Sequence, residues 1–270
     1  MCRLFGTKAR VAGGVAHELL HGANALRVQS HKHPDGWGLG WFEGRTPRVV
    51  HSLTPAHGDA QFETLSSFVE AETVVAHVRQ ASIGRIALEN THPFRRGPWL
   101  FAHNGTIPEW EQARGPLEAL IDPSLRAGLQ GDTDSERCFL LFLTHLRKRC
   151  GVEEATVDAA AAALARTVAD VRRIAEPGGD KPASTTFLAT DGRLLLACRR
   201  GRTLHLCSPD PDGDGTVSYA AVASEDPTGD LPPRSETRGG RMPWRLLPEE
   251  SLVTVDEHFR LRVGVLSDDA

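Results

Sequence analysis

The chain has 270 residues, with 31 basic and 35 acidic side chains and a formal net charge of −4. Its 40% hydrophobic and 24% charged residues fit a folded globular protein and exclude a collagen-like, disulfide-dense or largely disordered chain. Near-neutral charge without a mixed basic and aromatic patch argues against nucleic acid or an anionic membrane as partner.

The first third reads as short strands separated by turns, at 4–6, 39–42, 48–52 and the β-branched run 73–78, continued at 99–103. Helical spacing then takes over: Phe139, Leu143 and Leu146 repeat on one face, as do Val157, Ala161, Leu164, Val168 and Val171, predicting two neighbouring amphipathic helices. After Pro177, Gly178 and Gly179 strands return at 185–190 and 193–198, joined by an Asp191-Gly192 turn, and again at 203–207 and 219–224. A Pro/Gly/charge-rich loop over 225–243 precedes a last strand pair, 251–255 and 259–265. Strands, then grouped helices, then strands predict an α+β layered fold rather than alternating parallel units, here as one domain over 1–270.

The most apolar long stretch, 157–174, is interrupted by Asp158, Arg166, Asp170, Arg172 and Arg173 and cannot cross a bilayer. Five cysteines, an odd number, follow a start without a basic, apolar leader, and no lipidation signal is present. The expected compartment is the reducing cytoplasm.

Two local motifs suggest chemistry. His17-Glu18-Leu19-Leu20-His21 matches the zinc-peptidase pattern, in which two histidines one helical turn apart bind the metal and the glutamate activates water. The motif needs a third ligand; Asn24 stands where the extended pattern has glycine, and His31, His33 and Glu43 fall beyond a turn at 34–38. The favoured reading is a surface helix with a His-Glu-His face. The second motif is Met1-Cys2-Arg3-Leu4-Phe5-Gly6. Removal of Met1 would leave one residue with a thiol, ordinarily of pKa about 8.5, beside an α-amine of about 7.7–8.0 that can take its proton.

Three later segments bear on Cys2. His103-Asn104-Gly105 reads as a tight turn after an apolar strand, where an amide side chain and a backbone N–H can meet one oxygen. Thr133-Asp134-Ser135-Glu136 fits a capping box with Asp134 in the first helical turn. Arg79, following the buried-looking strand at 73–78, could fork onto a carboxylate or simply pair at the surface.

In this order the residues resemble the class II glutamine amidotransferases, in which an N-terminal cysteine releases ammonia from glutamine. The resemblance spans nearly the whole chain: Cys2 to Gly6, Asp35-Gly36-Trp37-Gly38, Glu89-Asn90-Thr91-His92-Pro93-Phe94, His103-Asn104-Gly105, Thr133 to Glu136 and Ala223-Ser224-Glu225. It implies a four-layer αββα sandwich of two antiparallel sheets flanked by helices, the Ntn-hydrolase fold. It further implies that Cys2 attacks the γ-carboxamide of glutamine or of a γ-glutamyl amide, with its α-amine as base. Asn104 and the Gly105 N–H would hold the oxyanion, Arg79 the substrate α-carboxylate and Asp134 its α-ammonium. His77 and Ser82 join the substrate-binding set, and His77, His92 and His103 support it structurally. No cofactor and no metal are implied.

The chain departs from the family pattern in two ways. Lys32-His33-Pro34-Asp35 stands where many members have Arg-Gly-x-Asp, and Lys, a point charge, cannot reproduce an Arg fork. Nothing follows the glutaminase-like part, so an ammonia-accepting synthase would be a separate partner. The readings to be separated are a glutaminase component, a γ-glutamyl amide hydrolase like that of ergothioneine biosynthesis, a zinc peptidase, and a non-catalytic γ-glutamyl-binding module.

Overall fold

The computed structural model describes residues 2–177, 181–209, 215–229 and 243–267. One antiparallel sheet contains β1 (Arg3–Gly14), β2 (Trp37–Glu43), β3 (Thr46–Ser52), β4 (Glu70–Val78), β9 (His205–Cys207), β10 (Tyr219–Ala223) and β11 (Trp244–Leu246), in the order β11-β9-β10-β1-β4-β2-β3. The second, also antiparallel, contains β5 (Phe94–Arg96), β6 (Trp99–Thr106), β7 (Ser184–Thr190), β8 (Leu195–Arg199), β12 (Ser251–Val255) and β13 (Leu261–Val265), in the order β13-β12-β8-β7-β6-β5. The helices are α1 (Leu26–Gln29), α2 (Ala60–Phe68), α3 (Trp110–Leu120), α4 (Pro123–Arg126), α5 (Asp134–Arg149) and α6 (Val157–Ala175).

Strand side chains alternate faces with a period of two, and the apolar residues divide accordingly. Leu4, Val75, Leu100, Ala102, Leu188 and Val222 meet between the sheets. Their neighbours Phe5, Val74, Ala76 and Ala221 turn outward onto Leu19, Leu20, Leu26 and Phe62. On the other side, Trp99, Phe101 and Phe187 turn onto α3, α5 and α6, where the Phe101 ring stacks on Phe139 at 5.2 Å. The result is the expected αββα sandwich.

Several local expectations change. The α5 stripe is not the edge of an amphipathic helix: every residue from Asp134 to Leu146 is buried, because α3, α6 and the sheet cover different sides. β1 runs well past the predicted 4–6, since pairing with β10 and β4 on its two sides carries even Lys8 into the buried backbone ladder. His17–His21 is a single π-turn closed by Gly22 N–H to His17 O at 2.7 Å; it faces the core through Leu19 and Leu20. The Asp191-Gly192 turn forms, with Asp191 accepting from the Arg193 and Leu194 amides. Most of the predicted loop at 225–243, like Gly178 and Gly179, lies outside the described residues.

Candidate active site

Strand parity assembles the site. Cys2 precedes Leu4 by two, His77 follows Val75 by two and Asn104 follows Ala102 by two, so all three belong to the face between the sheets. The start of β1 is fixed from both sides. Arg3 pairs in register with Val78 of β4. Across from it, Leu4 N–H donates to Ser224 Oγ at 2.9 Å, Ser224 N–H donates to Leu4 O at 3.0 Å, and Arg3 forms an ion pair with Glu225 at 3.3 Å. The Ala223-Ser224-Glu225 segment is therefore an anchor for the residues that follow Cys2.

Cys2 is half-buried, and its Sγ donates to the Gln80 carbonyl at 3.5 Å. Desolvation raises the thiol pKa; the Gln80 contact and the nearby Arg79 oppose that rise, and Asp134 adds to it. Cys2, Arg79 and Asp134 thus lie within one another's electrostatic reach.

Arg79, 2% exposed, is held by backbone pairing with the Asp35-Gly36 turn, and Asp35 accepts from Ala81 N–H at 2.8 Å. Its guanidinium curls onto its own loop, donating to the carbonyls of Arg85 at 3.0 Å, Ile83 at 3.3 Å and Gly84 at 3.4 Å. That occupies three of the five donors of the fork. Burial lowers the Arg79 pKa, against the pull of Cys2, Asp35, Asp132 and Asp134. Asp134 accepts from Ile107 N–H at 2.9 Å and from the Ser135 amide and hydroxyl. Asn90 joins the two segments: its Oδ1 accepts from Asp132 N–H at 3.0 Å, and its Nδ2 donates to Arg85 O and Asp132 Oδ1. The motif around Asn90 was visible in the sequence, but this clamp was not. The predicted capping box is half formed, because Thr133 accepts from Glu136 N–H while the Glu136 carboxylate turns to the amides of Gln130 and Gly131.

Asn104-Gly105 is not a turn. Both residues lie inside β6, paired with Thr186 and Thr185. Glycine is required at 105 by a close approach rather than by a left-handed backbone: a Cβ there would sit 2.0 Å from Ser184 O and 2.3 Å from His103 Nε2. His103 bridges α5 and β7 through Ser135 Oγ at 2.9 Å and Ser184 O at 2.8 Å. Asn104 is 1% exposed, and its Oδ1 has no hydrogen-bond partner, unlike most buried amide groups. Ser82, exposed, bonds Thr106 Oγ1 at 3.0 Å beside Gly105.

His77 and His92 pack ring to ring at 4.3 Å, and neither ring has a hydrogen-bonded nitrogen. Burial lowers the His77 pKa to about 3 and that of His92 well below its usual value, so both are neutral. His77 therefore lies in the inter-sheet floor. Gly38 admits the segment that carries His92, whose carbonyl would lie 2.0 Å from a Cβ at position 38. His33, buried beside Gln80, was missed as a site residue. A separate cavity of about 450 Å³, with Glu89, Thr91, Gln130 and Glu136 among its lining residues, abuts the clamp without including Cys2, Arg79, Asn104 or Asp134. Among the described residues no group of three His, Cys, Asp or Glu side chains is arranged to hold a metal ion, so His17 and His21 find no third ligand, and no helix is long and apolar enough to cross a membrane.

The profile of the class-II glutamine amidotransferases matches residues 1–218. The chain belongs to that family. A gamma-glutamyl-hercynylcysteine sulfoxide hydrolase of Mycobacterium tuberculosis is 37% identical over 139 residues, covering 47% of this chain and 59% of that protein. The putative glutamine amidotransferase YafJ of Escherichia coli is 32% identical over 154 residues, covering 55% and 56%. The chain thus spans little more than half the length of these relatives. The Mycolicibacterium smegmatis gamma-glutamyl-hercynylcysteine sulfoxide hydrolase is 30% identical over 222 residues, 80% of this chain and 83% of that protein. The fold is shared with a class-II domain protein from Silicibacter pomeroyi, at TM-score 0.64 and 19% identity over 98% of this chain and 100% of that one. It is equally shared with the phosphoribosylpyrophosphate amidotransferase of B. subtilis, at TM-score 0.64 and 18% identity over 98% of this chain and 49% of that one.

Proposed function

We propose that this chain is an N-terminal-nucleophile amidohydrolase acting on glutamine or a γ-glutamyl amide, in one domain over 2–270 once Met1 is removed. The observation that carries the reading is that Cys2 lies within electrostatic reach of a buried cation, Arg79, and a buried anion, Asp134. A cation and an anion within reach of one thiol suit the α-carboxylate and α-ammonium of a free amino-acid end.

Burial keeps the Cys2 thiol protonated at rest, so attack needs a base. The α-amine of Cys2 takes the thiol proton as sulfur adds to the γ-carbonyl. The oxyanion is received by Asn104 and the Gly105 N–H; loss of one such donor costs about 3–4 kcal/mol of barrier. The ammonium returns its proton to the departing ammonia or amine, leaving a γ-glutamyl thioester. Water, deprotonated by the same amine, releases glutamate and the thiol. Arg79 binds through the donors its loop leaves open, or through all of them if 83–85 withdraws. Ser82 and His77 border this pocket, in the cytoplasm, and a separate synthase would take the ammonia.

The γ-glutamyl amide reading is supported by the Mycolicibacterium relative, whose match spans four-fifths of both chains. Comparing glutamine with γ-glutamyl-cysteine derivatives as substrates separates the two readings. Either requires that Cys2→Ala abolish hydrolysis; an active Cys2→Ala protein refutes both.

A further inference from the structure

The carbonyl of Cys2 lies where strand pairing has run out. The ladder between β1 and β10 ends at Phe5 and Ala223, and beyond it Leu4 turns both its N–H and its C=O to Ser224. Backbone groups of a strand alternate sides, so the Cys2 C=O faces that same side two residues earlier, past the last pair. The Arg3 side chain folds back to fill the place. Its Nη1 donates to Cys2 O at 3.0 Å, while its Nη2 pairs with Glu225 Oε1 at 3.3 Å. Thr203 Oγ1, from the loop between β8 and β9, donates to the same Glu225 oxygen at 3.3 Å. One planar fork thus ties the peptide group of Cys2 to a tethered carboxylate, a geometry that the point charge of a lysine cannot reproduce. The Arg3 side chain is 22% exposed, so its charge is only partly screened by water.

We propose that Arg3 is a positioning residue for the nucleophile: its fork fixes the peptide plane of Cys2, and its charge keeps the α-amine that Met1 removal creates in the free-base form able to take the thiol proton. This rests on the reading of Cys2 as a chain-terminal nucleophile. An ordinary α-amine, of pKa about 7.7–8.0, is mostly protonated at pH 7 and then has no lone pair to offer the thiol proton. A cation one residue away disfavours the ammonium form. The fork sets one cationic nitrogen against Cys2 and the Glu225 carboxylate against the other, so the charge nearer the amine is positive. The other charged or titratable groups around Cys2 and Arg3 are Lys32, His33, Arg79 and Asp134.

The test uses Met1-processed protein with three variants. Arg3→Gln keeps an N–H for the Cys2 carbonyl without the charge, Arg3→Lys keeps the charge without the fork, and Glu225→Gln removes the opposing anion. Two readouts are taken: the pH dependence of kcat and KM on γ-glutamyl-p-nitroanilide, and, in the Cys2→Ala background, the pH dependence of α-amine acetylation by acetic anhydride. Arg3→Gln is expected to raise the acid-side midpoint of kcat/KM and the acetylation midpoint by about half a pH unit to one unit. Its kcat/KM then falls several-fold at neutral pH and recovers in alkali. Arg3→Lys should hold both midpoints near wild type while kcat falls, and Glu225→Gln should lower both. Unmoved midpoints in Arg3→Gln would overturn the proposal, as would equal shifts in Arg3→Gln and Arg3→Lys, which would mean that packing and not charge sets the amine. Hydrolysis surviving Cys2→Ala would instead refute the underlying reading, and the acetylation midpoints would still report on Arg3.

Discussion

Gly105→Ala probes how tightly the site is built into the sheet. The new Cβ would lie 2.0 Å from Ser184 O and 2.3 Å from His103 Nε2, where real Cβ contacts essentially never fall under 3.0 Å, so β6 must move about 1 Å from β7 or the ring must leave. Both obstacles are fixed: Ser184 O belongs to strand backbone and accepts from His103, whose other nitrogen is tied to Ser135. Overpacking of this kind costs about 1–3 kcal/mol, and loss of the His103 bond adds about 1 kcal/mol. The same movement carries Asn104, and a 1 Å misplacement of a catalytic group can cost on the order of 10²-fold in rate. Urea unfolding should show a loss of about 2–4 kcal/mol, and kcat/KM should fall about 100-fold. A Gly105→Ala protein with wild-type stability and rate would refute the account of why glycine follows Asn104.

Three other perturbations follow. Asn90→Ala removes the bonds joining the Arg85 carbonyl to Asp132; steady-state kinetics should show KM rising more than kcat falls, with about 1–3 kcal/mol lost in urea, and an unchanged KM would argue that the clamp does not shape the substrate site. Ser224→Ala leaves the buried Leu4 N–H without its acceptor, costing about 1–3 kcal/mol and lowering kcat by loosening β1 beside Cys2, which melting and rate measurements check together. Acid should destabilise the fold through its buried neutral histidines. His33 and His77 have folded pKa values of about 4 and 3, and His92 is also well below normal. The unfolded chain, near 6.5, takes up their protons first, so stability is full above about pH 6.5 and falls toward pH 4 by up to about 1.4 kcal/mol per unit for each histidine. A Tm series over pH 4–8 should show that fall, and His92→Phe should make it shallower.

Much of the sheet framework was legible because continuous β-branched and apolar runs such as Thr73 to Val78 and Trp99 to His103 suit strands buried on both faces. Elements whose stability comes from long-range pairing were not. The far end of β1 contains Lys8 and Arg10 and is a strand because β10 and β4 flank it. Asn104-Gly105 carries a strong local turn signal that pairing with β7 overrides. Cys2, Arg79, Asn104 and Asp134 were singled out as candidates through motif order. Asn90 and His33 needed coordinates, since a side chain that bridges loops 42 residues apart, or fills the place of a glycine, leaves no periodic trace. The Arg79 fork, closed on its own carbonyls, also could not be foreseen from residue type.

The most direct measurement is mass spectrometry of the N-terminal peptide after acid-quenching the Met1-processed protein during turnover of glutamine or γ-glutamyl-p-nitroanilide. A γ-glutamyl adduct on the Cys2 sulfur, absent in protein retaining Met1, is the predicted result. Turnover with an unmodified Cys2 peptide, or equal turnover by the Met1-retaining form, would contradict it.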